Sequence, residues 1–294
     1  MNPSTLRLTV KNQILSLERP CVLGILNLTT DSFYAPSRVG LNTTETVDRA
    51  GAMLSEGADI LDLGACSTRP GSTQVDPVEE EERIQAGLEA VLAAFPEALI
   101  SVDTYRASVA QTAIRCGAGM INDVSGGTLD PQMHPLILQQ KVPYILGHLR
   151  GRPENMASLT NYGDAPAEVF DFLIQNAEAL KQAGAPTLLL DPCFGFAKNQ
   201  GQNYQILQRL PELVAHGWPV MAGLSRKSMI YRPLRLEPSS ALNGTTALHA
   251  IALTQGARLL RVHDVLEAVE CVNLWCLYQN REDLLKIFET NRRF

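Results

Sequence analysis

The sequence predicts an α/β protein, a (β/α)8 TIM barrel with an N-terminal β-hairpin, and three observations carry that prediction. Short apolar runs that do not alternate with polar residues recur along the chain, as strands covered on both faces require. Each run is followed by an amphipathic stretch of helical period. Such pairs repeat eight times within about 270 residues, which suits a closed barrel better than an open sheet.

The elements follow in order. Residues 6–10 alternate apolar with polar, 11–13 read as a turn, and 14–17 return. This hairpin is expected to plug the amino-terminal end of the barrel. Strands are expected over 21–28, 59–63, 99–102, 120–123, 143–147, 187–190, 220–224 and 259–262. Helices are expected over 44–56, 77–95, 106–116, 131–140, 166–183, 203–215 and 241–255, with an apolar-faced segment over 265–288 at the end. Several helices run into a Gly-Ala step before the next strand, at Gly57-Ala58, Gly117-Ala118, Gly184-Ala185 and Gly256-Ala257. Glycine there supplies the left-handed residue that ends a helix. No linker, charge block or low-complexity tract interrupts the pattern, so residues 1–294 read as one domain.

Composition narrows the function classes. A chain of 294 residues, 45% of them hydrophobic, can bury roughly three quarters of its unfolded surface without a disulfide or metal. Its formal charge of −6 argues against broad nucleic-acid binding. The longest apolar runs fall far short of the ~20 residues of a membrane span, and residues 1–20 lack the basic, apolar, small-residue order of a secretory leader. The six cysteines (Cys21, Cys66, Cys116, Cys193, Cys271 and Cys276) include no C-x-x-C and no histidine at zinc-ligand spacing. They read as reduced thiols. The expectation is a cytoplasmic protein with neither membrane nor nucleic-acid partners.

In a barrel of this kind the active site is built at the carboxyl ends of the strands, and here all eight ends are polar. They are Asn27, Asp62 with Gly64, Asp103, Asn122-Asp123, His148, Asp191, Ser225-Arg226-Lys227-Ser228, and Arg261 with His263 and Asp264. One polar strand end is commonly a cap or a turn former. Eight together describe a polar pocket. Asp103, Asn122, Asp191 and Lys227 suit a flat, nitrogen-rich heterocycle, because a carboxylate can take paired N–H donors in bidentate fashion. Arg69, Arg261 and His263 suit a phosphate or pyrophosphate, and loops 67–71 and 223–228 aim backbone N–H groups at an anion. Arg261 and His263 lie two apart and share one strand face, with Val262 turned to the helix layer. Arg261 can face a polyanion there, or brace the rim against Asp62 or Asp264. By contrast, His148 reads as a loop hydrogen-bonder, His249 as a surface or packing residue, and the acidic run 79–82 as a solvated first helical turn.

Seven segments then carry a resemblance. They are Gly24-Ile-Leu-Asn-Leu-Thr-Thr-Asp-Ser-Phe33, Ser67-Thr-Arg-Pro-Gly71, Ser101-Val-Asp-Thr104 and Ile121-Asn-Asp-Val124, followed by Leu190-Asp-Pro-Cys-Phe-Gly-Phe196, Gly223-Leu-Ser-Arg-Lys-Ser228 and Arg261-Val-His-Asp264. In order and in position they resemble the signature series of the dihydropteroate synthases. The resemblance implies a barrel that joins 6-hydroxymethyl-7,8-dihydropterin diphosphate to 4-aminobenzoate and releases pyrophosphate. It implies that Asp103, Asn122, Asp191 and Lys227 hold the pterin. Asn27, Arg69, Arg261 and His263 would hold the diphosphate, with Mg²⁺ near Asn27. The 4-aminobenzoate would lie among Phe33, Thr68, Pro70 and Phe196, its carboxylate near Ser228. Asp191, Lys227, Arg261 and His263 would carry the chemistry, in a homodimer whose loops 29–42 and 65–76 close over the site.

Four positions depart from the family's common wording. Thr30 stands where proline is usual, Ala35 lies in a run that is commonly Ser-Asp-Gly, Cys66 replaces a frequent glutamate, and Cys193 a frequent glycine. Two other readings remain on the sequence alone. One is a pterin-binding methyltransferase acting from methyltetrahydrofolate to a corrinoid protein, which would need neither the Ser-Thr-Arg-Pro-Gly loop nor Arg226-Lys227. The other is a non-catalytic pterin-binding paralogue.

Overall fold

The parity of apolar residues along each strand decides what faces the barrel axis and what faces the helices. The structure is a computed structural model that describes residues 7–11, 13–28, 43–66, 75–281 and 283. Strands β1 (Arg7–Val10) and β2 (Gln13–Ser16) pair antiparallel, Leu8 opposite Leu15. Then come β3 (Cys21–Asn27), α1 (Thr43–Glu56), β4 (Ile60–Gly64), α2 (Pro77–Ala94), β5 (Ile100–Asp103), α3 (Ala107–Arg115), β6 (Met120–Asp123) and α4 (Met133–Gln140). The second half holds β7 (Tyr144–Gly147), α5 (Ala165–Gln182), β8 (Leu188–Asp191), α6 (Gln200–Gln208), α7 (Leu210–Val214) and β9 (Met221–Ala222). It closes with α8 (Ser228–Leu234), α9 (Leu242–Thr254), β10 (Leu259–Val262) and α10 (Val265–Tyr278).

Strands β3 to β10 pair parallel in the order β8-β7-β6-β5-β4-β3-β10-β9. A parallel bridge from Leu190 to Val220 joins the two ends of that series and closes the ring. Inside the ring, Leu23, Ile60, Leu99, Met120, Ile145, Leu189, Met221 and Leu259 form one apolar cluster with Leu8, Val10 and Leu17. The hairpin therefore does plug the amino-terminal end. The residues of opposite parity, such as Val22, Leu61, Ile100, Ile121, Leu188, Leu260 and Val262, pack instead in a larger cluster with the helices. Two positions beyond the inner apolar layer, the same strand faces carry Asp62, Ser101, Asn122, Asp191 and Arg261.

The four Gly-Ala steps behave alike. Gly57, Gly117, Gly184 and Gly256 have φ between 86° and 104°, and each following alanine donates its N–H five residues back, as Ala118 does to the Ala113 carbonyl at 2.9 Å. That is the Schellman stop.

Three expectations need correction. The single helix expected over 203–215 is two, α6 and α7, because Pro211 has no N–H to continue the ladder and Arg209 ends one helix and starts the next. The closing helix stops at Tyr278 instead of reaching 288: Asn280 takes φ 55°, and the Arg281 N–H returns to the Cys276 carbonyl at 2.9 Å, so asparagine plays the part of the C′ glycine. Residues 284–288 lie outside the described residues. Strand β9 is two residues long rather than 220–224, and the polar run after it opens a short helix, α8, that periodicity did not show.

Candidate active site

At the carboxyl end of the ring, Asp103, Asn122, Asp191, Lys227 and Arg261 line one pocket together with Val124, Cys193, Phe196 and Gly223. Five strand ends thus supply polar side chains to it. Beneath them lies Asp62, fully buried. Its Oδ2 accepts from Arg261 Nε at 2.6 Å and from Asn122 Nδ2 at 3.0 Å. With its Oδ2 accepting from both, Asp62 draws the amide nitrogen of Asn122 to itself and leaves Asn122 Oδ1 to accept from a ligand. Arg261 Nη2 also donates to Asp103 Oδ2 at 2.6 Å. The guanidinium thus spans two carboxylates. Burial above all, with Asp62, Glu80 and Asp123 nearby, raises the Asp103 carboxyl out of the usual carboxylate range, against the pull of Arg261.

Asp191 ends β8, and its Oδ1 accepts the Cys193 N–H at 2.8 Å. Lys227 caps the start of α8; its Nζ donates to the Phe194 carbonyl and lies 4.8 Å from the centre of the Phe196 ring. Burial lowers its ammonium below the usual lysine range, with Asp191 opposing. Cys193, where the resemblance expects glycine, has φ 52°, the left-handed region that glycine enters at no steric cost.

The remaining candidates fall into three groups. His263 lies on the rim, its Nδ1 2.9 Å from Ser225 Oγ, and its N–H donates to the same oxygen. Asn27 is exposed at the end of β3, and Ser228 is the first, half-buried residue of α8. Phe33, Thr68, Arg69 and Pro70, with Thr30, Ala35 and most of both expected closing loops, lie outside the described residues.

Not every polar strand end serves this pocket. Asp123 turns to the helix side, where it accepts from the Ser125 and Gly127 N–H groups, Ser125 Oγ and the Tyr144 hydroxyl. Arg226 pairs with Asp264 at 2.7 Å and reaches the carbonyls of Pro238 and Ser239. So Asp264 braces Arg226, while Asp62 and Asp103 hold Arg261. The acidic run 79–82 also needs correcting. Glu80 is 1% exposed and binds Thr104 Oγ1 at 2.8 Å and the Arg106 guanidinium, tying α2 to the strand end that carries Asp103. The sequence did offer a signal: Glu80, Ile84, Gly87, Leu88 and Val91 share the buried face of α2.

The geometry can now be set beside known proteins. Residues 23–263 match the family model described as pterin binding enzyme. The dihydropteroate synthase of Escherichia coli K12 is 38% identical over 271 residues, covering 92% of this chain and 95% of that protein. The chain belongs to the dihydropteroate synthase family. The Synechocystis enzyme is 40% identical over 251 residues, 84% of this chain and 86% of its own length. Among solved structures, the Yersinia pestis dihydropteroate synthase in a sulfonamide complex superposes with a TM-score of 0.85 at 37% identity, covering 93% of this chain and 99% of that one. The Xanthomonas albilineans dihydropteroate synthase with 4-aminobenzoic acid gives 0.85 at 39%, covering 94% and 98%. As a dihydropteroate synthase the chain is a transferase of folate synthesis, and its substrates are small molecules.

Proposed function

We propose that the pocket holds the pterin through Asp103, Asn122, Asp191 and Lys227, and that the observation carrying this is their convergence over buried Asp62. Asp191 accepts paired ring N–H groups, Asn122 Oδ1 accepts another, and Lys227 donates to a ring nitrogen or carbonyl. Arg261 and His263, with Asn27 and Arg69, take the diphosphate. Arg261 can brace and catalyse at once: its Nε and Nη2 are committed to Asp62 and Asp103, and Nη1 is left for the leaving group. The 4-aminobenzoate lies among Phe33, Thr68, Pro70 and Phe196, its carboxylate near Ser228 at the start of α8.

The reaction needs little acid–base machinery. The bond from the pterin methylene carbon to the diphosphate oxygen breaks with its electron pair going to oxygen. The electron-rich dihydropterin stabilises the methylene cation, and the amine nitrogen attacks it and sheds a proton. Asp191 balances charge on the ring while Arg261 and His263 face the developing anion, a matter of electrostatics and positioning.

A Mg²⁺ ion fits the donor set only as a companion of the diphosphate. Among the described residues no group of three or more His, Cys, Asp or Glu could hold a metal, whereas Asn27 offers one hard oxygen at the mouth. Mg²⁺ is commonly held by one or two protein ligands plus substrate phosphates, and bound so it would neutralise part of the departing charge.

The defining test is pyrophosphate release, expected only when dihydropterin diphosphate and 4-aminobenzoate are both present. Release without the amine, or methyl transfer from methyltetrahydrofolate, would overturn the reading. We place the enzyme in the cytoplasm as a homodimer. Six cysteines without a disulfide suit a reducing compartment. Ile251 on α9 and Leu266, Leu274, Leu277 and Tyr278 on α10 are 41–74% exposed, an apolar surface that a second copy would cover. Sedimentation at the mass of two chains is expected, and a monomer at micromolar concentration would remove that part.

A further inference from the structure

A second buried lysine lies beside the pocket without lining it. Lys198 is 6% exposed and sits where the loop after β8 leads into α6. Its Nζ donates to the carbonyls of Phe196 at 2.8 Å, Cys193 at 3.2 Å and His148 at 3.3 Å, with His148 Nδ1 at 3.1 Å. None of these acceptors is a carboxylate. The chain bends round this ammonium: Cys193, Gly195 and Ala197 have φ of 52°, 86° and 50°, and two of the three are not glycine. The Phe194 carbonyl between them is taken by Lys227. Residues 193–197 are therefore gripped by two ammonium groups, one lining the pocket and the other not.

A buried cation with no carboxylate in hydrogen-bond contact costs a fold stability, and a methionine of similar length would fill the space without that cost. The charge therefore serves the carbonyls it gathers. We propose that Lys198 is a positioning residue for the condensation, fixing through the Cys193 and Phe196 carbonyls the turn that sets the Phe196 ring in the pocket. The proposal rests on the reading of Phe196 as part of the 4-aminobenzoate subsite. Asp191 keeps its own bond from the Cys193 N–H, and Gly195 N–H is held by Asn203 Oδ1 at 2.6 Å. The ring is the part left to the ammonium.

The groups around Lys198 are few. His148 and Arg150 face it from the loop after β7, Asp191 and Cys193 from β8 and its loop, and Lys227 from the loop after β9. Burial first, then Lys198 and Arg150, press the His148 imidazole down to about 2, so it stays neutral. Burial, helped by Lys227 and Arg150 and opposed by Cys193 and Asp191, lowers Lys198 to about 8.

A double-mutant cycle of Lys198→Met with Phe196→Ala tests the proposal. Lys198→Met is expected to raise the KM for 4-aminobenzoate about tenfold while kcat and affinity for a phosphate-free pterin move less than about threefold. In the Phe196→Ala background it should add no further rise. Lys198→Arg, which keeps the charge, should restore KM to within about threefold, and should lack the increase in KM expected of the parent enzyme above pH 8 as Lys198 loses its proton. An unmoved KM in Lys198→Met, equal factors in both backgrounds, or an alkaline rise that persists in Lys198→Arg would overturn it and leave the enzyme's function standing. If Phe196→Ala alone leaves KM unchanged, the subsite reading falls and this proposal with it. The comparison of Lys198→Arg with the parent does not depend on the methionine variant folding.

Discussion

The lower half of the barrel interior is apolar and the upper half is charged, although the same strands build both. Ile60, Met120, Leu189 and Leu259 belong to the layer that the hairpin seals, all of them fully buried. Two residues further on, the same four strands present Asp62, Asn122, Asp191 and Arg261. One step of strand period separates packing from chemistry. The apolar layer excludes water by shape alone. The polar layer is kept only because its charges are matched to one another, as Arg261 is to Asp62 and Asp103. Stability is expected to reside below and function above, except where a charge network serves both.

The largest expected effect breaks that division. Arg261→Ala leaves buried Asp62 and half-buried Asp103 without their cation and should cost about 3–5 kcal/mol of stability, while also weakening pyrophosphate inhibition. Urea unfolding and inhibition by pyrophosphate read the two losses separately; intact inhibition would place the leaving-group site elsewhere. Met120→Ala lies wholly in the lower layer. It should cost about 2–5 kcal/mol in unfolding experiments with kcat per folded molecule unchanged, and a large fall in kcat would mean the layers are coupled. Asp191→Asn is the converse case. Calorimetric titration with a phosphate-free pterin should show a loss of about 1.5–3 kcal/mol against a melting temperature near that of the parent; unaltered affinity would put the ring elsewhere.

The smallest effect sharpens the comparison from outside the ring. His249 on α9 is buried, and desolvation lowers its imidazole from 6.5 to about 4. Between those values the unfolded chain binds the extra proton, so stability falls as pH drops from about 6.5 towards 4. His249→Gln should remove about 1–2 kcal/mol of the difference in unfolding free energy between pH 7 and pH 5. An acid limb of the same size in the variant would assign the titration to His148 or another group.

Much of this was legible in the sequence, and for a physical reason. Strand parity and helix period are local, so the ring, the plugging hairpin and the strand-end positions of Asp103, Asn122, Asp191 and Lys227 could be read from spacing. Partner choice is not local. Which carboxylate meets Arg261, that Asp123 meets the Tyr144 hydroxyl, or that Glu80 meets Thr104, depends on side chains dozens of residues apart. Lys198 was missed because a lysine between two loops reads as solvated, and only the folded chain shows three carbonyls around it. The break at Arg209 and the stop at Asn280 were missed for a smaller reason: neither is marked by glycine, although Pro211 gave fair warning of the first.

The Gly-Ala stops also set a clock for the strands they precede. From Gly57 to Asp62, from Gly117 to Asn122 and from Gly256 to Arg261 the count is five residues, and from Gly184 to Asp191 it is seven. The strands concerned, β4, β6, β8 and β10, alternate around the ring, and alternate strands are what a barrel uses to fill one interior layer with four side chains. The odd count puts each polar group on the inward phase. The third copy is longer by two, which preserves that phase where an added single residue would invert it. The helix terminus therefore works as a phase marker for the ligand-facing layer. A lone residue inserted between Gly117 and Asn122 would turn the amide out among the helices, whereas an inserted pair has a natural precedent in this same chain.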